Sequence, residues 1–267
     1  MITAPFRWAG SKAKVTNELF NYFKGSDVYV EPFLGSGVVL FRLLEDNKYK
    51  KYIVNDVNKA IIGFYRAIQT SPKHVIDTLS SYQYLYNSYV SIELKKELYY
   101  KVRDSYNNDK QNWTNFWFLM KTGFNGLYRE NKKGMYNVPF GFKEKITLDE
   151  NQIYQIHDLI QCVEFNCMDY TDFIYKVLNE TKTRIFIYND PPYCGSQKYT
   201  KDDFNNEKLA SFMKSLPIDV AISDIDNDIS NHVYHDYFKV ILKEVKKIIN
   251  ISSIHLSKEV LYVNYEN

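Results

Sequence analysis

Asp190-Pro191-Pro192-Tyr193 is the segment whose residue types carry the most chemistry. It follows Arg184-Ile185-Phe186-Ile187-Tyr188, an apolar run that predicts a strand. Two consecutive prolines neither continue a helix nor donate to a sheet ladder, so the strand must stop there. A stiff turn then presents an acceptor-only carboxylate, proline carbonyls and one aromatic ring. That set suits a planar amine whose lone pair is delocalised into its ring, such as the adenine N6 amino group. Asp190 can accept one amine hydrogen and the Pro191 carbonyl the other, which frees the nitrogen lone pair for alkylation. Tyr193 can stack on a base swung out of a duplex. The plainer alternative is a proline-rich strand exit with Asp190 as a helix cap.

A second constellation lies near the N-terminus. Val28-Tyr29-Val30-Glu31-Pro32-Phe33 reads as a short buried strand. It runs into Leu34-Gly35-Ser36-Gly37 and then an apolar helix from Val38 to Leu44. Strand, Gly-x-Gly and helix in this order is the layout of a nucleotide-type cofactor loop, in which glycines let the backbone approach the ligand. The three-glycine dinucleotide fingerprint is missing, which disfavours nicotinamide or flavin, and a plain turn is the alternative. Asp56 ends the next predicted strand, Tyr52–Asp56, ahead of a helix from Asn58 to Ile68. An acid there binds ribose hydroxyls in doubly wound folds, or else caps the helix. Upstream, Pro5-Phe6-Arg7-Trp8-Ala9-Gly10-Ser11-Lys12 precedes a predicted helix over 11–23. Its backbone amides and Lys12 can hold a carboxylate, such as the amino-acid end of a cofactor, or can simply begin a helix.

Elements must hold these pieces together. The βαβα opening predicts a parallel sheet with helices on its faces. Residues 72–121 read as mostly helical and 122–145 as a Gly- and Asn-rich loop with short strands. The sheet pattern resumes with a strand at Cys162–Asn166, a helix to about Leu178, the strand before Asp190, and a strand ending Ala221-Ile222-Ser223. Late strands are expected at Tyr237–Val240 and Leu256–Asn264. The helical region thus interrupts the sheet, and with no flexible linker it should pack on the core.

The 267 residues, 45% hydrophobic and 25% charged, fit a globular α/β domain with an insertion. No apolar run is long enough to span a membrane and no signal-peptide pattern begins the chain, so a cytoplasmic protein is expected. The formal net charge is only +2, but local charge is uneven. Residues 1–14 hold Arg7, Lys12 and Lys14 without an acid. The 121–145 segment holds Lys121, Arg129, Lys132, Lys133, Lys143 and Lys145 against Glu130 and Glu144. Such a loop can lie along phosphates, or be merely solvated. Cys162, Cys167 and Cys194 match neither a disulfide framework nor a zinc site and are assigned to packing. The stripe Tyr82, Tyr84, Tyr86, Tyr89 reads as helix packing or surface rather than a base-stacking platform.

The ordered set W-A-G-S-K, E-P-F-L-G-S-G, N-D, G-F-N-G-L-Y-R, N-V-P-F-G and D-P-P-Y closely resembles the Dam group of S-adenosylmethionine-dependent DNA adenine-N6 methyltransferases. The resemblance runs from Phe6 to Asn264. It implies a Rossmann-like class I methyltransferase sheet with an inserted, mostly helical target-recognition domain containing a β-hairpin. Residues 1–69 and 145–267 would form the catalytic domain and 70–144 the recognition domain. The implied cofactor is S-adenosylmethionine, bound by Phe6, Trp8, Ala9, Gly10, Lys12, Glu31, Pro32, Phe33, Gly35, Ser36, Gly37, Asp56, Asp169 and Asp190. Asp190, Pro191, Pro192 and Tyr193 would be the catalytic motif, with no metal. The implied partner is double-stranded DNA, without an obligatory protein partner. Arg7, Phe124, Asn125, Leu127, Arg129, Lys132, Lys133, Asn137 and Pro139 would contact it. Members that methylate GATC carry Leu, Arg and Pro where Leu127, Arg129 and Pro139 stand, so a GATC-like site is implied. Two departures stand out. Ser223-Asp224 replaces the usual Ser-Asn pair, and Ser252–Ser257 has only Lys258 nearby, where relatives place several basic residues. An RNA or protein-amide methyltransferase, and a non-catalytic DNA-binding relative, are the competing classes.

Overall fold

The computed structural model describes residues 2–195, 204–250 and 253–266, with the side chains of 244–257 excepted. Seven strands form one sheet: β1 Val28–Glu31, β2 Lys51–Asn55, β3 Val163–Asn166, β4 Ile185–Asn189, β5 Asp219–Ile225, β6 Phe238–Asn250 and β7 Ser253–Val263. Their order is β3-β2-β1-β4-β5-β7-β6. The first five are parallel, and β7 lies antiparallel between β5 and β6. β1 and β4 are buried along their whole length, as central parallel strands covered on both faces must be. The chain runs outward from β1 through β2 to β3 and then crosses to β4 on the other side of β1. The strand order therefore reverses between β1 and β4. Outside the carboxyl ends of two such strands an open crevice forms, the usual ligand position in doubly wound sheets.

Ten helices accompany these strands among the described residues: α1 Thr16–Phe20, α2 Val38–Glu45, α3 Lys59–Thr70, α4 Pro72–Ser88, α5 Ile92–Asn108, α6 Trp113–Thr122, α7 Glu150–Leu159, α8 Tyr170–Glu180, α9 Asn206–Lys214 and α10 Asp228–Val233. The stretch predicted as one helix over 11–23 is a 3-10 turn, Lys12–Lys14, followed by the short α1. The region between α3 and α7 is helical as expected. It shares one apolar cluster with the sheet, from Leu40, Tyr52 and Phe186 through Phe64 and Phe116 to Tyr86 and Tyr99. Tyr86 is buried there and Tyr84 exposed, the packing-or-surface pattern read from the Tyr stripe. Asn87 fixes the return of the chain by exchanging two hydrogen bonds with the Ile146 backbone, at 2.9 and 3.0 Å.

Three expectations need correction. The strand predicted to end at Ser223 continues to Ile225, because β7 pairs with it there, Ile225 opposite Glu259. The late strands are longer than their apolar runs and pair with each other over most of their length. The expected β-hairpin is no ladder but two isolated antiparallel bridges, Gly123 with Phe140 and Glu130 with Tyr136. Pro139 has no N–H to give; backbone bonds join the two segments at Phe124 to Pro139, Gly141 to Thr122 and Asn137 to Arg129, and side chains take some of the other backbone groups. Asn107 binds both the N–H and the carbonyl of Tyr136, and the Tyr99 hydroxyl binds the Val138 carbonyl. Phe124–Gly126 forms a 3-10 turn instead of a strand.

Candidate active site

The cofactor-type loop is built by backbone geometry. Gly37 caps α2 with φ +71°, and Gly35 has φ +52°. A side chain at Gly35 would place its first carbon 2.9 Å from the Trp8 indole nitrogen, so glycine is required on both counts. The Tyr65 hydroxyl holds the Ser36 carbonyl at 2.7 Å. Asn55, buried at the end of β2, donates to the Pro32 and Met168 carbonyls, both at 3.1 Å, and so ties the exits of β1 and β3 together.

Asp56 accepts from the Gly35 and Asn58 backbone N–H groups, each at 2.9 Å. It is not the cap of α3; Asn58 is, accepting from Ala60 and Ile61. Burial raises the Asp56 carboxyl to about 6 against those two hydrogen bonds. Glu31 is 2% exposed, and its Oε2 has no hydrogen-bond partner. Burial pushes its carboxyl well above the usual range.

The proline turn leaves β4 beside this loop. The Lys12 ammonium, 3% exposed, donates to the Asp190 carboxylate at 2.6 Å and to the Gly10 carbonyl at 3.0 Å. It also lies 4.7 Å from the centre of the Tyr193 ring. Lys12 thus stands against the carboxylate of the proline turn while also lining the cavity. Burial raises the Asp190 carboxyl, and the Lys12 charge opposes that rise. Behind the turn, the Asp224 carboxylate is fully buried and accepts the Cys194 N–H, both oxygens at 3.2 Å. Asn227 holds the Cys194 carbonyl at 3.1 Å.

One cavity joins these pieces. Its walls include Trp8, Ala9, Gly10, Lys12, Glu31, Phe33, Gly35, Ser36, Asp56 and Asp190–Tyr193. Of the remaining expected cofactor residues, Phe6 is buried behind Trp8 in an edge-on ring contact at 6.2 Å, and Pro32 and Gly37 shape the loop without lining the cavity. Asp169 does not line it either; it is exposed and caps α8 through Thr171. The sequence reading missed Ser11, Leu34, Val38, Val39, Val57, Asn58 and Tyr128 as wall residues. Tyr128 comes from the segment assigned to recognition, its ring 5.5 Å from Trp8. Its place in the G-F-N-G-L-Y-R run was the available signal.

On the neighbouring surface, Arg7, Phe124, Asn125, Leu127, Arg129, Lys132, Lys133 and Pro139 are exposed and Asn137 half-buried. The Arg129 Nε donates to Asn137 Oδ1 at 2.9 Å, which leaves the two terminal nitrogens unengaged by that pair. Glu130 turns inward to Lys110 and to the Tyr128 hydroxyl, so its charge does not offset the surface cations. Lys121 is partly buried, 5.4 Å from the Trp117 ring, and burial lowers its pKa. The side chains of Ser252–Ser257 lie outside the described residues. Cys194 is buried and Cys167 half-buried, but Cys162 is exposed, so packing does not describe it. Among the described residues no cluster of His, Cys, Asp and Glu has the makeup of a metal site, and no helix is long and apolar enough to cross a membrane.

Comparison with known proteins gives the family. The chain is 36% identical over 242 residues, 81% of each protein, to the Type II methyltransferase M.MjaIII of Methanocaldococcus jannaschii. It is 27% identical to the Type II methyltransferase M1.LlaDCHI of Lactococcus lactis subsp. cremoris, over 98% of this chain and 96% of that protein. It is 28% identical to the DNA adenine methylase of Vibrio cholerae, over 70% of this chain and 64% of that protein. The family model for the D12 class N6 adenine-specific DNA methyltransferase matches residues 8–253. With a match over most of its length and a relative 36% identical over 81% of each protein, the chain belongs to the D12 class of N6 adenine-specific DNA methyltransferases.

Proposed function

We propose that the protein transfers a methyl group from S-adenosylmethionine to adenine N6 in duplex DNA, at a GATC-like site, after the target base leaves the stack. The observation that carries this reading is the meeting of Asp56, Glu31 and Asp190 around one cavity at the β1/β4 reversal. The wall residues suit the cofactor. Glu31 offers an unpartnered buried carboxylate oxygen for an ammonium group, and Asp56 keeps lone pairs for ribose hydroxyls. Trp8, Phe33 and Val57 supply apolar surface. When bound, the cofactor supplies a sulfonium-activated methyl group.

The chain's own residues do the rest. Asp190 accepts one N6 hydrogen and the Pro191 carbonyl the other, which moves the nitrogen toward a tetrahedral shape and exposes its lone pair. Lys12 favours the ionised form of Asp190 against the rise that burial causes. Tyr193 stacks the extruded base. Catalysis is then mostly alignment, with fixed charges where charge develops. Residues 70–144 serve as the recognition region. Arg129, held by Asn137, forks to guanine O6 and N7, while Leu127 and Pro139 offer apolar contact for a thymine methyl. Phe124, 49% exposed, wedges into the stack as the base leaves. Arg7, Lys132 and Lys133 hold phosphate, and Asn125 lies on the same surface.

The test is sequencing, at single-base resolution, of DNA exposed to the purified protein and S-adenosylmethionine. N6-methyladenine confined to one short motif containing GATC is expected. Modification of cytosine, or of RNA in preference to DNA, would overturn the reading.

A further inference from the structure

The ring that carries base stacking in this mechanism is held by a residue from a distant part of the chain. The Tyr193 hydroxyl donates to Glu259 Oε2 at 2.9 Å. Glu259 belongs to β7, the antiparallel strand inserted beyond β5, and stands opposite Ile225 in the ladder. The contact closes a loop of 66 residues between the exit of β4 and the middle of β7. Within the Asp-Pro-Pro-Tyr turn the prolines stiffen the backbone, but nothing in them fixes the rotation of the Tyr193 side chain. Tyr and Trp bury their rings most readily when the polar tip has a partner. Here the partner is an ionisable carboxylate, the stronger kind of acceptor. Burial and the neighbouring Asp190 and Glu259 charges push the Tyr193 hydroxyl well above its ordinary pKa, so it remains a donor. Lys12 approaches the same ring from another direction.

We propose that Glu259 is a positioning residue for the reaction: its carboxylate accepts the Tyr193 hydroxyl and so holds the ring in the orientation on which the extruded adenine stacks. The inference rests on the reading of Tyr193 as the stacking ring. It gives β7 a task that its place in the sheet alone does not reveal. The strand delivers to the catalytic turn a group that β4 and β5 do not supply.

The experiment uses the full chain and two duplexes, one that the wild-type protein methylates, for kcat, and the same one with 2-aminopurine replacing the target adenine, to report extrusion only. Glu259→Ala, Glu259→Gln, Tyr193→Phe, Tyr193→Ala and the double variant Glu259→Ala/Tyr193→Phe are compared for fluorescence gain and for kcat. Loss of a hydrogen bond to a charged acceptor predicts that Glu259→Ala and Tyr193→Phe each lower kcat by about tenfold. The double variant should be no worse than either single one, because both remove the same contact. Glu259→Gln, whose amide oxygen still accepts, should keep most of the activity. Additive losses in the double variant, or a Gln variant as impaired as the Ala variant, would overturn the proposal while leaving Tyr193 its stacking role. Wild-type extrusion and turnover in Tyr193→Ala would overturn the stacking reading and this inference with it.

Discussion

Asp190 sits where two demands conflict. It must be ionised to accept amine hydrogens, yet burial raises its carboxyl, and Lys12 at 2.6 Å is the group that opposes the rise. Asp190→Ala should lower methyl transfer by about 10² or more, the scale seen for preorganised polar groups, with cofactor affinity largely kept. Single-turnover kinetics beside calorimetry separate the two effects. Asp56 has the opposite profile, since its two backbone hydrogen bonds tie it to the glycine loop and to the start of α3. Asp56→Ala should weaken S-adenosylmethionine by about 1.5–3 kcal/mol, the range for hydrogen bonds to a charged group. Unchanged affinity by calorimetry would make Asp56 a loop brace only. At this scale the sequence was informative where neighbours in the chain are neighbours in space. The proline turn and the glycine loop were legible because their constraints are local. The Lys12–Asp190 pair spans 178 residues and the Tyr193–Glu259 pair 66, and no spacing rule reaches that far. Lys12 reads in the sequence as a partner for a ligand's carboxylate, and its contact with the protein's own Asp190 was not legible.

The elements show where pattern and topology part. β1 and β4 were legible because central parallel strands are continuous apolar runs. The insertion of β7 between β5 and β6 was not, because strand order depends on partners that a period cannot name. The expected hairpin formed only in part, as two antiparallel bridges with backbone bonds beside them. At Tyr136 and Val138 the backbone bonds instead to Asn107 and Tyr99, which lie on α5. The join of β4 to β5 also bears on stability. Asp224, near the end of β5, holds Cys194 and is raised to about 6 by burial. A carboxyl with a raised folded pKa stabilises the fold while protonated. That contribution is complete below its unfolded pKa of 3.8 and is lost as pH rises through about 6. Asp224→Asn cannot titrate and can still accept through its amide oxygen. Between pH 4 and pH 7 the wild type should therefore lose about 2.4 kcal/mol of stability relative to the variant, most of what two pKa units at about 1.36 kcal/mol each supply. Urea denaturation across that range checks it, and parallel curves for the two proteins would mean that folding does not shift the Asp224 carboxyl.

Across the whole molecule, charge is arranged by placement and not by excess. The formal net charge is +2, yet Arg7, Arg129, Lys132 and Lys133 are all exposed, while the acid among them, Glu130, is turned inward to Lys110. This asymmetry was partly legible, since the basic run is local, but the withdrawal of Glu130 is tertiary. The arrangement predicts two kinds of DNA contact. Arg129→Ala should relax discrimination at one guanine of the site by about 1–3 kcal/mol, because only a forked donor reads both guanine acceptors. Lys132→Ala and Lys133→Ala should weaken binding to all duplexes alike and flatten its salt dependence, as loss of a phosphate contact does. Methylation of duplexes varied one base pair at a time tells them apart. A uniform loss in Arg129→Ala would make it a phosphate or structural residue and would remove the main support for a GATC-like site.

The central claim concerns what the assembled molecule does to one nitrogen. The most direct measurement is transfer of labelled methyl from S-adenosylmethionine to duplex DNA by the wild type and by Asp190→Ala, followed by digestion to nucleosides. The account predicts label in N6-methyladenine from the wild type and almost none from the variant, with cofactor binding intact in both. Label on another base, or near-equal transfer by Asp190→Ala, would contradict it.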